Sequence, residues 1–200
     1  TLAGTFQTNL TGAARHGTTV TASSTLHTKG AYVTLLASTN KPSYGLWIAG
    51  KDVATAATVT ALLVDIAIDA IGSEIVVIPN LNFWGASDSR GPTDFFFPIY
   101  IPSGVRLAAR SQAAISSDTI SISVWLAQDA PYPWAVSQVT DYGTVLASSR
   151  GTSVTPGVDA FDAYTQIVAA TSRAHQYWTL RIDGLADTIV QDTALLVELA

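Results

Sequence analysis

In residues 59–70, Leu62, Val64, Ile66 and Ile68 fall on one side of a strict alternation, and Leu63, Asp65, Ala67 and Asp69 on the other. Successive strand side chains point to opposite faces, whereas a helix groups positions three and four apart. The segment therefore reads as a half-buried strand. Residues 119–127 repeat the pattern, with Ile120, Ile122, Val124 and Leu126 opposed to Ser121, Ser123 and Trp125. In residues 105–113, Val105, Leu107, Ala109 and Ser111 alternate with Arg106, Ala108, Arg110 and Gln112. No stretch holds a 3.6-residue period over three turns.

The punctuation between these runs is that of a β-protein. Asn40-Lys41-Pro42, Gly72-Ser73, Ser103-Gly104 and Ser117-Asp118 mark turns. Further strands are expected at residues 31–38, 44–49, 74–78 (closed by Pro79-Asn80) and 95–101, where Pro98 and Pro102 suggest an edge. Residues 85–94 and 148–157, and the Pro131-Tyr132-Pro133-Trp134 segment, read as loops, with later strands expected at 163–170, 176–182 and 194–199. Short strands at this spacing predict an all-β, jelly-roll-like antiparallel β-sandwich. Residues 31–200 are expected to form a single domain. Residues 1–30 are Thr-rich with few large apolar groups and read as an extended N-terminal arm or a first strand.

Only 12% of residues are charged and mean hydropathy is +0.31, against about 25% charged in ordinary soluble domains. A membrane helix does not account for this, because Asp65, Asp69 and Glu74 interrupt the most apolar stretch, well short of about 20 apolar residues. Evenly spaced amphipathic strands with aromatic girdles, the mark of a membrane barrel, are also missing. No basic segment followed by an apolar run is visible near the start of the sequence. The surface is instead expected to use the 18 Ser and 25 Thr and to bury apolar area between subunits, since charge is depleted at interface cores. Self-association is the expectation, with a trimer favoured. Net charge is −5 and the ten Lys and Arg are scattered, which argues against a nucleic-acid partner. Cysteine is absent, so no disulfide or thiolate metal site is possible.

No catalytic constellation emerges. The sequence holds no Gly-x-Ser-x-Gly; Gly85-Ala86-Ser87 and Gly151-Thr152-Ser153 come closest and lack the second Gly. His16, His27 and His175 show no metal spacing, and the Asp183-Gly184…Asp187 turn lacks a regular ladder of Ca²⁺ ligands. Asp65 and Asp69, four residues apart on one strand, stand roughly 13 Å from each other, too far for a glycosidase pair. Their spacing equals that of Arg106 and Arg110, so two neighbouring strands or two subunits can pair them in register. These four are the candidate interface residues. No catalytic, metal or cofactor residue is assigned. Among the five Trp, Trp84 and Trp134 sit beside loops and are the candidate glycan contacts of an alternative, lectin-like reading. Asn9-Leu10-Thr11 matches a glycosylation sequon.

Residues 59–126 resemble jelly-roll proteins of tailed bacteriophages. The likeness lies in the acid-dotted strand from Leu62 to Ile68, Gly72-Ser73-Glu74, the Pro79-Asn80-Leu81 strand end, Phe97-Pro98-Ile99-Tyr100-Ile101-Pro102-Ser103-Gly104, and the run from Val105 to Gln112. It is a likeness of pattern over about a third of the chain. It implies a structural virion protein (capsid decoration, head-fibre base, or tail and baseplate module) whose partners are itself and other virion proteins. It brings no catalytic residues, and neither a cofactor nor a membrane partner is expected for the chain.

Overall fold

The computed structural model describes residues 5–10, 17–52, 60–85, 93–129, 133–155, 163–175 and 178–180. The chain divides into two units, Thr1–Gly151 and Thr152–Ala200, and among the described residues every strand lies in the first. Those strands are β1 (Thr5–Thr8), β2 (Thr18–Thr21), β3 (Val33–Leu36), β4 (Ser43–Asp52), β5 (Thr60–Ile68), β6 (Ile75–Gly85), β7 (Thr93–Phe97), β8 (Leu107–Ala113), β9 (Thr119–Gln128), β10 (Thr144–Val145) and β11 (Arg150–Gly151).

Two antiparallel sheets face each other. One runs β1-β9-β4-β7 with β2 also on β9, the other β3-β8-β5-β6. From β2 to β9 the chain visits the sheets in the strand order of a jelly roll, so the all-β sandwich expectation holds. The inward half of each alternation builds the core. Leu46 and Ile48 of β4, Leu62, Val64 and Ile66 of β5, and Ile120, Ile122, Val124 and Leu126 of β9 are fully buried in one cluster. Burying each such side chain contributes about 1.5–3 kcal/mol.

Of the arm or first strand expected before Ala31, the described residues Thr5–Thr8 and Thr18–Thr21 form strands of the sheet. β1 pairs with the C-terminal end of β9 (Thr5↔Gln128 to Thr8↔Trp125) and β2 with its beginning (Thr18↔Ile122 to Thr21↔Thr119). Val20 is fully buried in the core. Between the two short strands, the Asn9 side chain stands in for a peptide group: Nδ2 donates to the Ile122 carbonyl and Oδ1 accepts from the Val124 N–H, both at 2.9 Å.

The strand expected to stop at Pro79-Asn80 instead continues to Gly85. Val64 pairs with Leu81 and Ile66 with Ile78, so Pro79 and Asn80 together oppose Asp65. This is a β-bulge, which accommodates Pro and twists the strand. Asn80 takes φ 51°, and its N–H donates to Asp65 Oδ1 at 3.0 Å.

After β9 the chain returns over the β6 edge. Val136 bridges Ile99, Val139 N–H donates to the Val77 carbonyl, and Gln112 Nε2 donates to the Leu146 carbonyl. This strap explains why Leu63 and Ala67, on the side of β5 away from the core, are also buried. In the second unit the described residues carry no strand. The strand expected at 163–170 is therefore absent, residues 178–180 of the run at 176–182 are not a strand, and 194–199 lies outside the described residues.

Candidate functional site

The outward half of the β4 and β9 alternations makes the first candidate surface. Adjacent strands place Thr8, Trp125, Trp47 and Phe96 in one row across β1, β9, β4 and β7. Trp47 and Phe96 are each 47% exposed and Phe6, in the next row, 69%. The Trp47 and Phe96 rings meet with centroids 5.7 Å apart at 54°, and Trp47 Nε1 donates to Asp94 Oδ2 at 3.1 Å. Small residues flank the row on both sides: Gly45 and Ala127 on one, Ala49 and Ser123 on the other. The Gly45 side is filled from within, since a Cβ there would stand 3.0 Å from the Phe96 ring. Along these strands only Lys51 and Asp94 carry charge among the outward positions. Such a face is aromatic and almost uncharged, the composition of an interface core.

The second candidate lies outside the other sheet. Asp65, 3% exposed, accepts from Lys29 Nζ at 2.8 Å, Arg110 Nε at 2.9 Å and the bulge N–H of Asn80. The Arg110 guanidinium lies 4.6 Å from the centroid of the Tyr32 ring. Burial lowers the Lys29 pKa below its ordinary value, with Asp65 opposing that shift. Burial likewise pushes the Asp141 carboxyl up, against the hydrogen bonds it accepts from Thr144 and Asn80. Burial also raises the Tyr32 phenol. Four formal charges thus sit in a compensated network, and every strong donor of the cluster has an acceptor.

The predicted register pairing is half present. Asp65 and Arg110 are cross-strand partners and hydrogen-bond within one chain. Asp69 and Arg106 meet only through the backbone, Asp69 N–H to the Arg106 carbonyl at 3.1 Å. At φ 93° the Asp69 carboxylate turns back onto the Ala70 N–H. The Arg106 side chain goes instead to Glu74 Oε1 at 2.9 Å and Thr34 Oγ1 at 2.8 Å, which holds the Glu74 carboxyl below its usual pKa. Trp134 is exposed; the Trp84 side chain, Ser87 and the acids Asp183 and Asp187 lie outside the described residues.

Among the described residues no group of three or more His, Asp or Glu is placed to hold a metal, and no helix is long and apolar enough to cross a membrane. His27 Nδ1 stands 3.0 Å from Ser149 Oγ, which Gln112 Nε2 also reaches. Sequence reasoning missed this contact because 122 residues separate its ends and neither has a local signature. Ser149 is fully buried, so the trio fastens the strap to β8. Comparison with protein-family models, with curated proteins and with solved structures finds no match for this chain.

Proposed function

We propose that this chain is a non-catalytic structural subunit of a tailed-phage virion, as capsid decoration, head-fibre base, or tail and baseplate component, working through protein–protein assembly. The observation that carries the assembly reading is the Trp125–Trp47–Phe96 row: a half-buried Trp125 beside the exposed rings of Trp47 and Phe96, on the outer face of a sheet with almost no charge around them. An isolated domain gains nothing from holding such rings in water, whereas aromatic anchors dominate interface energetics. The placement in a virion rests on the sequence resemblance. Its test is co-sedimentation of the purified chain with empty phage particles. Binding that Trp47→Ser and Phe96→Ser weaken supports the reading, and no binding to heads or tails removes it.

A second reading, a jelly-roll carbohydrate-binding module, is favoured by the exposed Trp134 and by the Asp94 carboxylate beside the Trp47 ring. Rings stack on sugars while carboxylates accept from hydroxyls. Glycan-array binding lost in Trp134→Ala or Trp47→Ala would replace the assembly reading with this one.

A further inference from the structure

We infer that two copies of the chain pair face to face through the outer side of the β1-β9-β4-β7 sheet. A two-fold axis lies in that face, across the strands, between the Trp47 row and the Ala49 row. This rests on the assembly reading and names the partner as a second copy.

The relief of the face determines the symmetry. Trp125, Trp47 and Phe96 form a ridge across three neighbouring strands. Beside it lies a parallel row of Ser123, Ala49 and Asp94, one strand repeat further along. On the opposite flank Phe96 covers Gly45, whereas Ser123 and Ala49 carry only small side chains and Trp47 Nε1 reaches this row at Asp94 alone, so this row is the hollow. A ridge and a hollow of equal length, side by side and parallel, are complementary to themselves. Rotation about the line between them seats Trp125 on the partner's Ser123, Trp47 on the partner's Ala49 and Phe96 on the partner's Asp94. The same three contacts then form in reverse. An isologous interface requires that reciprocity.

Charge and area agree. The whole chain carries −5, which would oppose association of random faces, but here Lys51 and Asp94 cancel. Lys51 is exposed with no ion-pair partner among the described residues. Strands about 4.8 Å apart and the ten-residue β4 and β9 give a face of roughly 600 Å² in plane, and side-chain relief brings it near the roughly 800 Å² per partner of stable interfaces.

The test is sedimentation equilibrium of the full chain, read against the 21.0 kDa monomer. A dimer is expected over about 1–100 µM. Ala49→Arg fills the hollow with a charge and should give a monomer. Trp47→Ser should weaken pairing by about 10- to 100-fold. Ile71→Ser, which removes an 81%-exposed apolar side chain from the β5–β6 turn, should leave the mass unchanged. Because the chain has no cysteine, Ser123→Cys introduces a single thiol whose partner copy stands about 12 Å away across the packed sheets, and a bis-maleimide of that span should link the two copies. A monomer throughout, a trimeric mass, or an Ala49→Arg variant that still dimerises with a native melt overturns the pairing. If the wild type stays monomeric yet binds phage particles through Trp47, self-pairing fails while the assembly reading stands. If it does neither, both fail.

Discussion

Replacing Asp65 by Ala removes the acceptor on which three donors converge. Lys29 loses its carboxylate with only 16% of its side chain in water, and Arg110 loses it with 32% exposed. Breaking a buried ion pair from one side costs about 3–5 kcal/mol. Arg110 can turn toward solvent and keep its stacking on Tyr32, so its share is discounted to the surface range of about 0–1 kcal/mol. The Asn80 N–H of the bulge is left without an acceptor, which costs about 1–3 kcal/mol. Together these give a loss of about 4–9 kcal/mol, a fall of roughly 8–36 °C in melting temperature for a chain of this size. Asp65→Asn keeps a carbonyl oxygen for the bulge and should lose about half as much, and Arg110→Ala no more than about 1 kcal/mol. Chemical denaturation of the three variants, with the slope against denaturant unchanged, measures the order directly. An Asp65→Ala loss below that of Arg110→Ala would refute the idea that Asp65 organises the cluster.

Other perturbations follow from the same geometry. Deleting residues 1–30 removes β1, β2 and the buried Val20, so the truncated chain should show no cooperative melt; a melt equal to that of the full chain would contradict the pairing with β9. The Asp141 carboxyl has a folded pKa above 3.8, so its protonated form stabilises the fold at low pH, and that stability is lost as pH rises through the raised value. Asp141→Asn should therefore gain on the wild type at pH 7 and lose the gain near pH 3, as read from melting temperatures of both proteins. A Cβ at Gly17 would stand against the Ile122 carbonyl, whereas one at Gly45 meets only the edge of a half-exposed Phe96 ring. Gly17→Ala should then cost about 1–3 kcal/mol and Gly45→Ala distinctly less, by urea midpoints.

The alternations at β5, β8 and β9 were legible because period two survives any tertiary arrangement that buries one face. What sequence could not carry was what lies over the other face. Leu63 and Ala67 looked like the solvated side of β5, yet the strap after β9 covers them, and nothing in residues 133–151 signals where that strap lands. Pro79-Asn80 read as a stop because local rules give Pro a terminal role. The residue that lets the strand continue, Asp65, is fifteen positions upstream. The register logic found Asp65 with Arg110, but missed that a positive φ at Asp69 hands Arg106 over to Glu74. Trp125 stood on the non-core side of its strand from the pattern alone, while its alignment with Trp47 and Phe96 depends on the crossovers that bring β4, β7 and β9 together. Trp84 and Trp134 were chosen for nearness to loops, a criterion that ignores rings standing in the middle of a sheet.

The Asn9 amide has a consequence for how such a subunit avoids growing without limit. A sheet edge made from two short strands would leave a notch at Ile122–Val124 with a bare carbonyl and a bare N–H, where a passing extended chain could seed a further strand. One side chain splices the notch shut, offering donor and acceptor at peptide-like positions. Strand addition at this notch of β9 is therefore closed. In the folded chain the sequon nitrogen of Asn9 is committed to Ile122 and Thr18, so a glycan there would undo the splice.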